Sequence, residues 1–436
     1  MAALRTDPAQ PARRRSRWAA AIDIGYSKVV AAIGEIDPAG DLLLRGLGTQ
    51  SPVRGARGAP ADFDAVVRAL RIALDEAERM SGLPIDTAVA AYGGPGVRSM
   101  RASGEIKLLR GVVDAADVKT ALAAAAEAAC GPSREALHVA PIAYYIDDGA
   151  PLPDPRGAQG KRLSADVLVV TAPAGAAQGT MELAREAGLR LTRVVAAPYA
   201  AGLGALSPED RDFGALLLDI GAASTGLSAF RGGGLVHCET LALGGVRLTE
   251  HLAAHLGTSF AAADRLKSAY GSEEAGLASG VRIEAPRLGP EGRLAPAALE
   301  AGALQEILAG PLGELLNRAA ARAAAAGLGM EVAPKVFLTG GSARLRGGET
   351  LAARAFGRPA ELAAVDGLEI SPQAAAAPAF AVAAGLLRWA LGRPSEAAVS
   401  AVKRSIASHA APGRSSRRPP AEGAMGKALL WLRENL

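Results

Sequence analysis

Two kinds of hydrophobic pattern alternate along the chain, and together they read as an α/β protein. Short apolar runs flanked by Asp, Gly and Ser have the length of strands; longer runs whose apolar positions recur at helical spacing have that of helices. One strand pattern occurs twice. Ala21–Gly34 reads AIDIGYSKVVAAIG and Leu216–Phe230 reads LLLDIGAASTGLSAF, which places Asp23 and Asp219 at matching points 196 positions apart (219 − 23). Each copy is a buried run, then Asp-Ile-Gly, then a small or hydroxylic turn, then a second alternating run. Each therefore predicts a β-hairpin with a special tip, and the two tips are expected to be alike.

After the first hairpin, Phe63, Val66, Val67, Leu70, Leu74 and Ala77 share one face of a helix over Phe63–Met80, ended by Gly82 and Pro84. From Ile85 the period shortens: TAVAAYGG and RSMRASGEIKLL read as strands, Asp114–Cys130 as a helix capped by Asp114 and Asp117, and Leu137–Ile146 as a strand. These elements predict an inserted α+β subdomain at 86–164. Ala165–Thr171, Thr180–Gly188 and Leu191–Val195 then read as strand, helix and strand of a resumed first domain, which occupies 18–85 and 165–212. The second domain is expected over 213–390. In it Leu235–Leu241 and Lys335–Thr339 are strands, Arg247–Leu256, Phe260–Tyr270 and Pro378–Ala390 are helices, and 296–326 is largely helical within a helical subdomain at about 247–330.

Both ends of the chain lack such periods. Residues 1–17, rich in Pro, Ala and Arg, read as a disordered basic arm, and residues 391–424, rich in Gly, Pro, Ser and Arg, as a flexible linker. Residues 425–436 read as an amphipathic helix. Met425, Ala428, Leu429, Leu432 and Leu436 share a face, Trp431 flanks it, and Lys427, Arg433 and Glu434 lie on the polar sides. At ~1.5 Å per residue its last eleven residues span only ~16 Å, enough to lie on a bilayer but not to cross it.

Composition narrows the classes of function. With 50% hydrophobic but only 4% aromatic residues, the cores are built from Ala, Leu and Val. The formal charge of +4, from 48 basic and 44 acidic residues, gives no reason to expect a nucleic-acid partner. Cys130 and Cys238 are the two cysteines, too few for a disulfide framework, which suits a reducing compartment. The apolar run after Trp18 meets Asp23 too soon for an export signal, and no stretch approaches the ~18 apolar residues of a membrane span.

The paired tips suit phosphate and metal chemistry. Glycine lets the main chain approach a phosphate, Ser27, Ser224 and Thr225 can donate hydroxyls, and Lys28 adds a point charge. Asp23 and Asp219 could face one another and hold Mg²⁺ through water. The strand KVFLT runs into Gly340-Gly341-Ser342, which would bring main-chain N–H groups to the adenosine side of a nucleotide. There is no GxxxxGK[ST] and no GxSxG, so a P-loop and an α/β-hydrolase elbow are not indicated. His251 and His255 have metal-pair spacing but lack the Glu of HExxH, and read as ordinary helix surface.

DIGYSKVVAAIGE (23–35), LHVAPIAYYID (137–147), GKRLSADVLVVTAP (160–173), LLLDIGAAST (216–225), ALGGVRLTEHLA (242–253), ADRLKSAYG (263–271), VFLTGGSARLRG (336–347) and PAFAVAAGLL (378–387) occur in this order. Together they resemble the actin/DnaK-type ATPase superfamily and, with the amphipathic end, the bacterial FtsA family, actin-like proteins that tie the division protein FtsZ to the membrane. The resemblance implies an actin-like ATPase fold of two duplicated domains with a small inserted subdomain, binding ATP and Mg²⁺. It places Gly25, Ser27, Lys28, Gly221, Ser224 and Thr225 on the phosphates, Asp264, Lys267, Gly340, Gly341 and Ser342 on the adenosine, and Asp23 and Asp219 on the metal.

It further implies head-to-tail self-assembly, with the insertion taking part and contacting later division proteins. The FtsZ C-terminal tail would dock near Glu314, and Met425, Leu429, Trp431, Leu432 and Leu436 would attach the protein peripherally to the cytoplasmic face of the inner membrane. Three departures from the family pattern stand out. Ala222, Ala223 and Gly226 replace two glycines and the last Asp of DIGGGTTD; Ala197 stands where catalytic relatives carry a Glu before proline; Pro311 stands where an Arg usually precedes Glu314. Without that Glu to orient water, nucleotide binding with slow or absent hydrolysis is expected. The alternatives are a sugar kinase or DnaK-like chaperone, which predicts rapid ATP turnover, and a PilM-like pilus adaptor, which predicts a pilus membrane partner.

Overall fold

The structure is a computed structural model that describes residues 18–37, 41–53, 61–272, 278, 280–289, 294–365 and 378–392. The expected arm at 1–17, the linker from residue 393 onward and the terminal helix with Met425, Leu429, Trp431, Leu432 and Leu436 lie outside the described residues. No described helix is long and apolar enough to cross a membrane.

The first hairpin forms as its pattern predicts, β1 (Trp18–Ile24) antiparallel to β2 (Val29–Ile36). A third strand, β3 (Leu42–Gln50), extends the meander and carries α1 (Phe63–Ser81) across it. Asp62 caps α1 by accepting from the Ala65 N–H, and Gly82, in the left-handed region at φ 69°, ends it. The helix lies close on β3 because Gly48 has no side chain: a Cβ there would sit 1.8 Å from the Ala73 carbonyl oxygen. Next, β4 (Thr87–Tyr92) pairs parallel to β1.

The chain then leaves this sheet for β5 (Arg98–Lys107), α2 (Ala115–Cys130), β6 (Arg134–Ile146) and β7 (Arg162–Pro173). It returns through α3 (Ala176–Glu186) to β8 (Arg190–Ala196), parallel to β4, and on into α4 (Ala197–Ala205). The expected borders of the insertion, 86 and 164, both shift. TAVAAY is β4 of the first sheet, held between β1 and β8, and the Ala165–Thr171 run is part of β7, paired with β5 and β6.

A short α5 (Pro208–Phe213) leads to the second hairpin, β9 (Ala215–Ile220) and β10 (Thr225–Arg231), followed by β11 (Gly234–Leu241). Next come α6 (Gly245–Leu256), α7 (Phe260–Tyr270) and two small ribbons. The ribbon strands are β12 (Arg282–Glu284), β13 (Arg287–Leu288), β14 (Leu294–Ala295) and β15 (Ala298–Glu300). The helix expected from 296 starts only after them, as α8 (Ala301–Ala325), and it contains Pro311. β16 (Lys335–Thr339), α9 (Gly348–Phe356), β17 (Ala360–Leu362) and α10 (Ala381–Leu391) complete the described chain.

The strand orders reveal the duplication. The first sheet runs β3-β2-β1-β4-β8, and the second contains β11-β10-β9-β16-β17, in each case an antiparallel meander continued by two parallel strands. The insertion adds β5, β7 and β6 to the β11 edge, joined to it through the pair Glu239 and Arg98. One core lies under α1 and α3, around Ile22, Ile33 and Leu70; another lies under α6 and α8, around Leu216, Leu248 and Leu316. Between the sheets α4 packs on α10 at glycine contacts, where a Cβ on Gly385 would lie 1.7 Å from the Ala200 oxygen and one on Gly204 2.0 Å from the Ala381 oxygen. That approach sets the two hairpin tips on opposite sides of one cleft.

Candidate functional site

The tips share a frame. The Gly25 N–H donates to the Lys28 carbonyl and the Gly221 N–H to the Ser224 carbonyl, each at 2.9 Å, closing equivalent turns after Asp-Ile. A Cβ on either glycine would come within 3.0 Å of the carbonyl it serves. Both tips open on a cleft of about 580 Å³. Of the residues expected at the nucleotide, Asp23, Gly25, Ser27, Lys28, Asp219, Gly221, Ser224, Asp264, Lys267, Gly340, Gly341 and Ser342 all line it.

Thr225 does not line it. Its hydroxyl donates to the Leu243 carbonyl at 2.7 Å and the residue is fully buried, so it fastens the hairpin to the approach of α6. As the first residue of β10 it points to the other side of the tip from Ser224.

The electrostatics of the cleft centre on Asp23, Asp219 and Lys28. Burial pushes Asp23 up to about 6, against the pull of the Lys28 charge. Burial and then the Asp23 charge push Asp219 up to about 7, again against Lys28. Lys28 is lowered by its own burial and held up by the two carboxylates. Its ammonium donates to the Ala379 carbonyl at 2.6 Å and stands 3.9 Å from the centre of the Phe380 ring. Two hard-oxygen carboxylates at the back of a cleft, neutralised in part by one lysine, fit Mg²⁺ held through water and substrate phosphates, the usual mode for that ion.

On the far side, α6 and α7 supply a polar wall. Lys267 reaches the Thr249 hydroxyl at 2.5 Å, the Gly245 carbonyl at 3.0 Å and Asp264 at 3.2 Å, which fixes both α7 side chains. Gly340, at φ 89°, needs to be glycine because a Cβ would lie 2.4 Å from Asp219 Oδ1. The TGG turn therefore abuts the second tip, and Gly341 and Ser342 face the cavity.

Several lining residues were not expected: the Gly93-Gly94-Pro95 turn after β4, Tyr26, Ser268 and Arg344. The turn carries the same signal as the TGG segment, an apolar strand ending in a glycine pair. Glu314 lies apart, in a second pocket of about 290 Å³ with Arg247, His251, Pro311 and Arg318. Ala197, at the start of α4, lines the main cleft and brings no carboxylate.

Comparison with known proteins agrees with this architecture. Residues 216–385 match the family described as cell division protein FtsA, and residues 94–171 match the SHS2 domain inserted in FTSA. The second range follows the insertion as the strands define it. The cell division protein FtsA of Rhizobium meliloti is 32% identical over 385 residues, covering 86% of this chain and 87% of that one. Its counterpart in Pseudomonas aeruginosa is 29% identical over 377 residues, covering 86% and 89%. Among solved structures, a PilM–PilN type IV pilus biogenesis complex superposes with a TM-score of 0.60 at 20% identity, over 86% of this chain and 99% of that one, a likeness of fold. With its duplicated actin-like domains, the inserted SHS2 domain and this degree of identity over most of its length, the chain belongs to the FtsA family of cell division proteins.

Proposed function

We propose that the protein is an ATP-binding, actin-like scaffold that assembles on the inner membrane and tethers FtsZ there during cell division. The observation that carries this reading is the pair of equivalent Asp-Ile-Gly tips facing one cleft that also receives the Gly340–Gly341 turn. Gly25, Ser27, Lys28, Gly221 and Ser224 would receive the phosphates, Asp264, Lys267, Gly341 and Ser342 the nucleoside, and Asp23 and Asp219 the magnesium ion. Magnesium, when bound, neutralises charge on the phosphates. Because Ala197 cannot orient a water molecule, hydrolysis is slow and occupancy itself is the signal.

Nucleotide draws the two sheets together about the α4–α10 contact, and the closed form favours head-to-tail assembly. The FtsZ tail docks in the pocket of Glu314, where Arg247 and Arg318 offer the positive charge that Pro311 does not. Each subunit adds one short helix, 425–436, to the lipid; a single such helix binds weakly, and assembly makes attachment firm by avidity.

Co-sedimentation with liposomes of the full chain and of a 1–424 truncation, with and without ATP and an FtsZ tail peptide, tests the reading. The full chain is expected to pellet, more so with ATP, and to carry the peptide down; equal pelleting of both forms would remove the tether.

A further inference from the structure

In the pocket of Glu314 the positive charge of Arg247 and Arg318 suits an acidic partner, and the carboxylate of Glu314 does not. We propose that this pocket is where the chain's own segment 425–436 rests when it is off the membrane, with its apolar face in the groove and Arg433 beside Glu314. The inference rests on the reading of 425–436 as a membrane-attaching helix and deepens it by naming what covers that helix away from lipid.

The pocket is a groove between two helices. α6 and its approach supply Leu243, Arg247 and Leu248, and α8 supplies Glu314, Leu315 and Arg318, so three leucines lie between charged rims. One turn before Glu314 the surface of α8 is bare, because a Cβ on Gly310 would meet nothing within 4 Å. A groove with an apolar floor and room for close approach is how proteins take up an amphipathic helix.

The rims are not spent on each other. Arg247 is paired with Glu250 at 3.2 Å. Glu314 and Arg318 stand one turn apart on α8, in the order that favours pairing along a helix, yet they form no ion pair with each other or with another described residue. Glu314 is therefore open to a cation from outside the described residues.

Segment 425–436 has the matching pattern. Leu429, Leu432 and Leu436 recur at i, i+3 and i+7, and Arg433 falls at i+4 beside them, so a helix that lays its leucines in the groove brings a guanidinium to the edge. Off lipid the leucines need cover and Glu314 needs a cation; one contact supplies both.

The tether is long enough. At ~3.3 Å per residue the 32 residues of 393–424 (424 − 392) extend to ~105 Å, against a radius of gyration of ~21 Å for a compact body the size of residues 18–392. Tethering also holds the segment at an effective concentration on the order of a millimolar, so a weak contact suffices. An FtsZ tail docked in the same pocket excludes the segment, and the partner that the scaffold recruits thereby frees its membrane helix.

Photo-crosslinking of the full chain tests this. Benzoyl-phenylalanine replaces Trp431, and adducts are mapped by mass spectrometry after irradiation of dilute protein in lipid-free buffer. Adducts are expected within one chain, in 243–251 and 311–318. Glu314→Lys is expected to lower them about threefold, and Arg433→Glu to restore them in that background. Leu432→Glu, which leaves 18–392 unaltered, is expected to lower them about tenfold. Adducts only between two chains, or adducts indifferent to both Glu314→Lys and Leu432→Glu, overturn the inference. Absence of adducts from both segments in a chain that still pellets with liposomes of phosphatidylethanolamine and phosphatidylglycerol overturns this inference alone. Those liposomes are expected to abolish the adducts; adducts undiminished by them keep this inference and remove the tether.

Discussion

The two hairpin tips have the same frame and opposite chemistry. At the last position of the turn the first tip has Lys28 and the second Ser224, and each reaches into the other half of the molecule. Lys28 donates to Ala379, just before α10, and Ser224 donates to Gly93, just after β4. Duplication supplied two equivalent turns; divergence made one a charged latch and the other a weak, exchangeable one. The cleft is therefore symmetric in backbone and asymmetric in what a phosphate must displace.

The largest expected effect comes from breaking the contact that sets the tips opposite each other. Gly385→Val places side-chain atoms where the Ala200 carbonyl lies, and overpacking of this kind is expected to cost at least about 3 kcal/mol, read as a fall of roughly 6 °C or more in Tm by calorimetry. Gly25→Ala, whose Cβ meets its nearest atom at 3.0 Å, is expected to do far less.

Next in size is the asymmetry itself. Lys28→Ala removes a charged donor and should weaken MgATP binding by about 10- to 150-fold, whereas Ser224→Ala removes one neutral donor and should cost about 2- to 10-fold. Equal losses in a nucleotide titration would show that the tips are equivalent after all.

A pH dependence sharpens the comparison further. Asp23 and Asp219 are raised from an ordinary 3.8 to about 6 and about 7, so between pH 4 and 7 the folded state binds more protons than the unfolded state. Their contribution to stability is therefore greatest at the acid end and falls as pH rises through that window. If the proposed magnesium site is held by these two carboxylates, both must be ionised, so the rise in Tm produced by MgATP should grow between pH 6 and 8, and Asp219→Asn should flatten that growth.

The smallest effect separates neighbours on one tip. Thr225→Val leaves the Leu243 carbonyl without its hydroxyl donor and is expected to cost about 1 kcal/mol of stability in chemical denaturation. It should leave nucleotide affinity unchanged, unlike Ser224→Ala.

Thr225 also marks the limit of what the sequence discloses. Both hairpins and α1 were legible because local alternation or helical spacing determines which residues are buried, and the DIG repeat announced the paired tips. Pairings between distant segments were not. TAVAAY gives no local sign that it joins β1 and β8 rather than the insertion that follows it, so the Gly93 turn was assigned away from the cleft. β3 has no place among the elements expected from the sequence, and its Gly46 and Gly48, which break the apolar alternation, are the floor on which α1 rests. Two adjacent hydroxyls, Ser224 and Thr225, look equivalent in sequence and are sent opposite ways where the turn meets the strand.

Titration calorimetry of MgATP into the full chain, repeated with Lys28→Ala and Ser224→Ala, tests the paired-tip cleft most directly. The account predicts one nucleotide per chain, bound more weakly when either tip is altered and most weakly without Lys28. No binding, or binding indifferent to both substitutions, would contradict it.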